Sequence, residues 1–210
     1  MAQALIWGAA GGIGRALTAA LLAAGHTVIG VARTPQQFDS PAFTPLEADI
    51  TDDFAVGQAV YAAAQHTDAL DLMIFAAGDI TSGKVAELAM QDWQRIIAAN
   101  LTGAYLTTRH TLPLLKPDAT LIYIGAVHER LRLPGLSAYA AAKAGLEAFA
   151  DALTKEERKR KILVVRPGAV ATPLWDKVPL RLPKDASDAD HIAEAILTAW
   201  AEGKIGILDL

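Results

Sequence analysis

The chain predicts an α/β fold in which a parallel sheet of about seven strands is covered by helices on both faces. Three observations carry that expectation. Short apolar runs of strand length alternate with helical patterns from end to end, the runs are apolar at odd and even positions alike, and a glycine-rich turn joins the first run to the first helix. Strands apolar on both sides must be buried on both sides, and parallel neighbours need crossovers, usually helical, to join them.

The strands are expected at Ala4–Trp7, Thr27–Val31, Phe43–Leu46, Leu72–Ala76, Leu121–Ile124, Ile162–Val165 and Ile205–Leu208, each rich in aliphatic or aromatic residues. Helical patterns fill most of the gaps. They are Ile13–Ala24, Phe54–Gln65, a long and bent Asp92–Leu115, Ser137–Lys159 and Ala189–Glu202. Two proline-bearing stretches, Arg33–Pro45 and Ala171–Ser187, read as irregular. With no repeat, low-complexity segment or linker, residues 1–210 make a single domain long enough for a full core.

Composition narrows the function classes. The 210 residues are 52% hydrophobic and 20% charged, as in a globular protein. A net charge of -4 argues against a general nucleic-acid or anionic-membrane surface. The mixed run Lys155–Lys161 reads as the solvated last turn of a helix. No cysteine is present for disulfides or thiolate metal sites, and no metal site is expected. Met1–Trp7 lacks a basic start, and no uncharged apolar run approaches a membrane span, so a soluble cytoplasmic protein is expected.

The first turn, Gly8-Ala9-Ala10-Gly11-Gly12-Ile13-Gly14, is the strongest local signal. Glycines let the backbone turn sharply and approach a pyrophosphate, whose charge then sits at a helix N-terminus. The spacing fits both Gly8, Gly12, Gly14 and Gly8, Gly11, Gly14. The second strand ends in Val31-Ala32-Arg33-Thr34, with no acid between Gly30 and Gln37. An acid there holds the ribose 2′-hydroxyl of NAD, whereas arginine accommodates the 2′-phosphate of NADP. Arg33, helped by Arg15, therefore favours NADP over NAD.

In Ser137–Phe149, Tyr139 and Lys143 stand one helical turn apart on one face, where phenol and ammonium can meet one ligand. A nearby cation is expected to favour the phenolate, bringing the tyrosine toward acid–base work. Asn100, the one asparagine of the chain, falls where a helix interior is expected, an unfavourable place for it.

These motifs in this order resemble the short-chain dehydrogenase/reductase family over essentially the whole chain. They are the glycine turn, Asp49 in Glu47–Ile50, Ala76-Ala77-Gly78, Asn100, Tyr139 with Lys143, and Pro167–Thr172. The resemblance implies a single Rossmann-type domain with strand order 3-2-1-4-5-6-7 and helix-mediated homodimers or homotetramers. It implies that Gly8, Gly12, Ile13, Gly14, Ala77 and Gly78 hold the cofactor, with Asp49 and Ile50 at the adenine. Pro167, Gly168, Val170 and Thr172 would line the nicotinamide side. Tyr139 would exchange a proton with a small carbonyl or alcohol substrate. Lys143 would hold the ribose and tune the phenol, and Asn100 would interrupt its helix to support a proton relay.

Two positions depart from that pattern. Ala76 stands where the family has asparagine, and Ala126 stands thirteen residues before Tyr139, where the family's serine donates to the substrate oxygen. Ser137 falls on a different helical face from Tyr139, and His128 in the same loop as Ala126 is the alternative donor. A dinucleotide-binding regulator or structural protein with weakened turnover is the rival reading. The short Ala171–Ser187 stretch suggests an open or small substrate site, with Trp175 as its apolar contact.

Overall fold

Successive residues of a strand face opposite sides of the sheet, and here both sets are apolar. The computed structural model, which describes residues 1–210, places a seven-stranded parallel sheet between two helical layers. The strands are β1 (Gln3–Trp7), β2 (Thr27–Ala32), β3 (Phe43–Glu47), β4 (Leu70–Phe75), β5 (Leu115–Ile124), β6 (Lys161–Arg166) and β7 (Gly206–Asp209). Their order is β3-β2-β1-β4-β5-β6-β7, so the sheet reverses its direction of growth between β1 and β4. In such sheets the ligand crevice opens at the carboxyl ends of those two strands.

The helices are α1 (Gly12–Ala23), α2 (Asp53–Ala63), α3 (Met90–Ile97), α4 (Gly103–Thr111), α5 (Ser137–Glu156) and α6 (Ala189–Ala201). Leu5, Trp7, Met73, Tyr123 and Val164 point to one face and pack with α2, α4 and α5. Their neighbours Ala4, Ile6, Leu72, Ile122 and Val165 point to the other and pack with α1 and α6. Each buried leucine or isoleucine contributes roughly 1.5–3 kcal/mol over its exposed state, so a slip of one residue in any strand would exchange favourable burials on both faces. Two polar pairs sit inside this core: Trp7 Nε1 donates to Thr111 Oγ1 at 3.3 Å, and the Tyr123 and Thr108 hydroxyls lie 2.7 Å apart.

Three differences from the sequence reading have local causes. The long helix Asp92–Leu115 is divided into α3, a π-helical turn at Ala98–Thr102, α4 and a 3₁₀ turn at Leu112–Leu114 that contains Pro113. Strand β5 begins at Leu115 rather than Leu121, and its ladder with β4 jumps from Leu115 to Thr120 while the partner advances only from Leu70 to Leu72. Arg160 is not solvated: it donates to the carbonyls of Leu112, Leu115 and Lys116 at 3.0, 3.0 and 3.1 Å, and it pairs with Glu157. Those carbonyls belong to the 3₁₀ turn after α4 and the start of β5, where the ladder with β4 is irregular. No helix is long and apolar enough to cross a membrane.

Candidate active site

The crevice starts from a steric fact at Gly8. Its φ of 89° is in the left-handed region, and a Cβ there would lie 2.5 Å from the Ala77 nitrogen. Only glycine lets the turn after β1 approach the turn after β4 so closely. Gly14 closes the same turn from the helix side, since a Cβ at that position would overlap the Gly8 carbonyl oxygen. Gly11 is the N-cap of α1 and donates its N–H to that oxygen at 3.0 Å, while Gly12 begins the helix. Both spacings read from the sequence are therefore used by one turn. No side chain caps α1 and no acid occupies its first turn, so its N–H groups and positive dipole end are left for an anion.

Arg33 stands exposed just past β2, and its charge helps to hold the Asp49 carboxyl below its ordinary range, after the hydrogen bond from Thr51 N–H. Arg15 donates to Gln36 at 3.1 Å beside it. Ile13 and Ala77 pack against the two cores, and Ile50 lies against Gly103 at the start of α4. Val170 is buried beside β6, and Thr172 reaches the glycine turn, its γ-methyl lying 2.5 Å from a Cβ built on Gly12. Pro167 is buried, whereas Gly168 is turned toward the chain end, donating to the Leu210 carbonyl at 2.8 Å.

The reacting side is assembled from α5, the π turn and the loop after β4. Tyr139 and Lys143 are 8% and 4% exposed, and Lys143 Nζ lies over the phenol ring, 5.6 Å from its centroid. The ammonium donates to the Ile124 carbonyl at 2.8 Å, at the end of β5. Burial pushes the Tyr139 phenol up to about 12 and the Lys143 ammonium down to about 8. A lowering of the phenol by the lysine was expected; burial instead raises it, and loss of water is the cause that displaces both groups.

Asn100 is fully buried in the π turn. Its Nδ2 donates to the Ile96 carbonyl at 2.8 Å, occupying the acceptor four residues back that a regular helix would use, and to the Asp79 carbonyl at 2.7 Å. That capture widens the turn, as side-chain insertion into a helical ladder does. Because both carbonyls require the amide nitrogen, Oδ1 is fixed in orientation, and it is buried without a partner. It faces Gly78, where a Cβ would lie 2.8 Å from Oδ1 and 3.8 Å from Lys143 Nζ.

Two further expectations change. His128 does not address Tyr139: its ring nitrogens lie 3.3 Å from Glu147 and 3.8 Å from Glu129, on the side of α5 where Arg166 gathers those carboxylates. The Ala171–Ser187 stretch, expected to leave an open or small site, is laid against it. Leu174, Val178 and Leu180, rather than Trp175, pack against the cluster formed by Tyr139, Ile80, Ile96 and Leu136. Sequence reading also missed Asp79, a buried acid that pairs with Lys177 at 2.6 Å and with Arg95. Its one visible signal is a carboxylate inside an otherwise apolar and glycine stretch, Ile74–Ile80. No group of three or more histidine or acidic side chains is placed to hold a metal.

The residues therefore suit a nicotinamide dinucleotide: an uncapped helix end at a glycine turn, basic residues past β2, and an orphaned amide oxygen beside a buried lysine. A family model described as short chain dehydrogenase matches residues 2–182. An uncharacterized short-chain type dehydrogenase/reductase of Sinorhizobium fredii is 35% identical over 182 residues, 81% of this chain, which spans only 33% of that relative's length. An oxidoreductase of Botryotinia fuckeliana is 30% identical, with 85% of this chain and 69% of that one covered. The 3-ketoacyl-(acyl-carrier-protein) reductase of Brucella melitensis, solved with NADH, has the same fold, with a TM-score of 0.87 over 100% of this chain and 96% of its own at 23% identity.

Proposed function

The chain belongs to the short-chain dehydrogenase family of oxidoreductases, and we propose that it moves a hydride between NADP(H) and a small carbonyl or alcohol substrate. The observation that carries this reading is the glycine turn lying against Ala77, whose neighbour Gly78 lies against Asn100 and the buried Lys143 of the Tyr139–Lys143 pair. The free N–H groups at Gly12, Ile13 and Gly14 would hold the pyrophosphate, and Asp49, Ile50, Ala77 and Gly78 the adenosine half. Pro167, Gly168, Val170 and Thr172 would border the nicotinamide. Bound there, the dinucleotide supplies or accepts the hydride.

The chain's own groups manage the proton. With its phenol raised to about 12, Tyr139 keeps its hydrogen at neutral pH and can give it to a carbonyl oxygen that is gaining charge. Lys143, held at Ile124 and lowered to about 8, is a cation poised to exchange a proton close to neutrality. Asn100 offers Oδ1 beside it, a site for a water that links the lysine to solvent. Ala126 lies one residue beyond Gly125 at the end of β5 and brings no donor to the substrate oxygen, so turnover should be slow for this constellation.

The preference for NADP rests on Arg33 and the absence of an acid between Gly30 and Gln37, although the Brucella protein was solved with NADH. Calorimetric titration with NADPH and NADH, followed by NADPH oxidation against aldehydes and ketones, tests both parts. Tighter NADPH binding that Arg33→Asp narrows or reverses is the expected result; equal affinities in the unaltered protein would defeat the cofactor assignment. We also assign Tyr105 of α4 and Ala141 and Ala148 of α5, all exposed, to a self-association face giving a homodimer or homotetramer, which light scattering measures.

A further inference from the structure

The strap from Thr172 to Pro183 covers the reacting side, and its attachment is simple. Its root rests on the glycine turn through Thr172, and Leu174, Val178 and Leu180 lie on the Tyr139 cluster. Between Pro173 and Pro183 the one hydrogen bond that reaches another part of the fold runs from Lys177 Nζ to Asp79 Oδ1, at 2.6 Å. The same Oδ1 accepts the Ile80 N–H at 3.0 Å, Oδ2 accepts from Arg95, and the Asp79 carbonyl accepts from Asn100 at 2.7 Å.

Building on the assignment of Tyr139 as the proton donor, we propose that Asp79 is a positioning residue that fastens the strap over Tyr139 by its carboxylate while its carbonyl holds Asn100. The two ends of the fastening are unequal. The Asp79 side chain is 11% exposed, against 46% for Lys177 and 45% for Arg95, so the acid is the fixed half and the lysine is the half that can leave into water. Opening the site then requires the separation of one ion pair and the lifting of three aliphatic side chains. Asn100 stays in place throughout, because it is held by the backbone of Asp79 and not by its carboxylate.

The charges around the pair rank the variants. Burial, and after it the field of Arg33 and Arg95, pushes the Lys177 ammonium below the ordinary lysine range. Loss of the Asp79 charge leaves Lys177 unpaired in the field of Arg33 and of Arg95, which keeps only Asp92, so Asp79→Asn should free the strap more than Lys177→Met does. Lys177→Met leaves Asp79 paired with Arg95, and Lys177→Arg keeps the fastening.

Hydrogen–deuterium exchange on the protein without added cofactor reads this directly. Asp79→Asn should speed exchange of the hydrogen-bonded strap amides of Trp175 and Val178 about tenfold or more, with Lys177→Met smaller and Lys177→Arg close to wild type. Strap exchange unchanged in Asp79→Asn, or equal acceleration throughout the fold, would overturn the proposal. Should Asp79→Asn fail to fold, Lys177→Met against Lys177→Arg decides it: accelerated strap exchange in the first alone supports the fastening, and its absence defeats it. Where carbonyl reduction is measurable, Asp79→Asn should raise KM about tenfold while kcat changes less, since Asn100 keeps its carbonyl partner. A protein that reduces no carbonyl would defeat the assigned reaction, yet the exchange result would still decide the role of Asp79.

Discussion

The glycine turn after β1 and the Tyr139–Lys143 turn of α5 border one crevice, and they are built on opposite terms. The first is made of backbone. Its shape follows from side chains that are missing, and at Gly8 or Gly14 even a methyl group would collide with main-chain atoms. The second is made of side chains whose properties depend on what covers them. The phenol and the ammonium are displaced in opposite directions by burial under elements distant in sequence. A cradle fixed by sterics has little tolerance for substitution, whereas a reacting pair tuned by desolvation can be altered chemically without moving the cradle.

The largest expected effect separates the two regions. Tyr139→Phe should lower turnover by roughly 10²–10⁴-fold, the usual worth of a positioned proton donor, with cofactor affinity nearly unchanged by calorimetry. Full turnover in that variant would remove the phenol from the reaction and erase the contrast. Next, Ala126→Ser supplies a donor of the kind typically worth ~10²–10³ in rate, and kcat should rise toward that factor. Because His128 stands beside Glu129 and Glu147, His128→Ala should leave kcat nearly as it was. A serine variant no faster than wild type on any accepted substrate would mean that another group already serves the oxygen.

Gly14→Ala probes the rigid side. Forcing a methyl group against the Gly8 carbonyl should cost about 1–3 kcal/mol of stability and weaken cofactor binding about tenfold or more. Thermal melting and titration measure the two losses, and kcat at saturating cofactor should fall less than affinity. Wild-type affinity would show that the turn has slack.

The smallest effect is a pH dependence of stability. Lys143 has a folded value of about 8 against 10.5 for the ordinary group, so between these values the unfolded chain holds the proton and the folded chain does not. Stability attributable to this group therefore rises with pH through that window, and the rise is missing in Lys143→Met. Tyr139 acts in the opposite sense, since its folded value of about 12 exceeds the ordinary 10, and stability is lost as pH rises between them. Parallel urea midpoints for wild type and Lys143→Met across this alkaline range would show that the ammonium is not desolvated.

Much of this was legible in the sequence, and for identifiable reasons. Strand positions were readable because a doubly buried strand must be apolar at consecutive positions, as in Leu121–Ile124 and Ile162–Val165. The glycine turn was readable because its constraint is local and steric. Asn100 was readable as an oddity, a solitary asparagine in a helical context, although its π turn and its grip on the Ile96 and Asp79 carbonyls were not.

What the sequence determined by itself was the set of interactions that close within a few residues: the strand runs, the turn at Gly8–Gly14, and the one-turn spacing of Tyr139 and Lys143. The tertiary structure decided where water is excluded and which distant charges meet. It turned His128 toward Glu147, laid Leu174, Val178 and Leu180 over Tyr139, and brought Lys177 to Asp79 across 98 positions of chain. It also buried the Tyr139 phenol, so that loss of water raises it where a lowering by Lys143 was expected. The physical reason is that a pKa or an ion pair depends on the medium around a group, and that medium is supplied by side chains whose positions only the folded chain specifies.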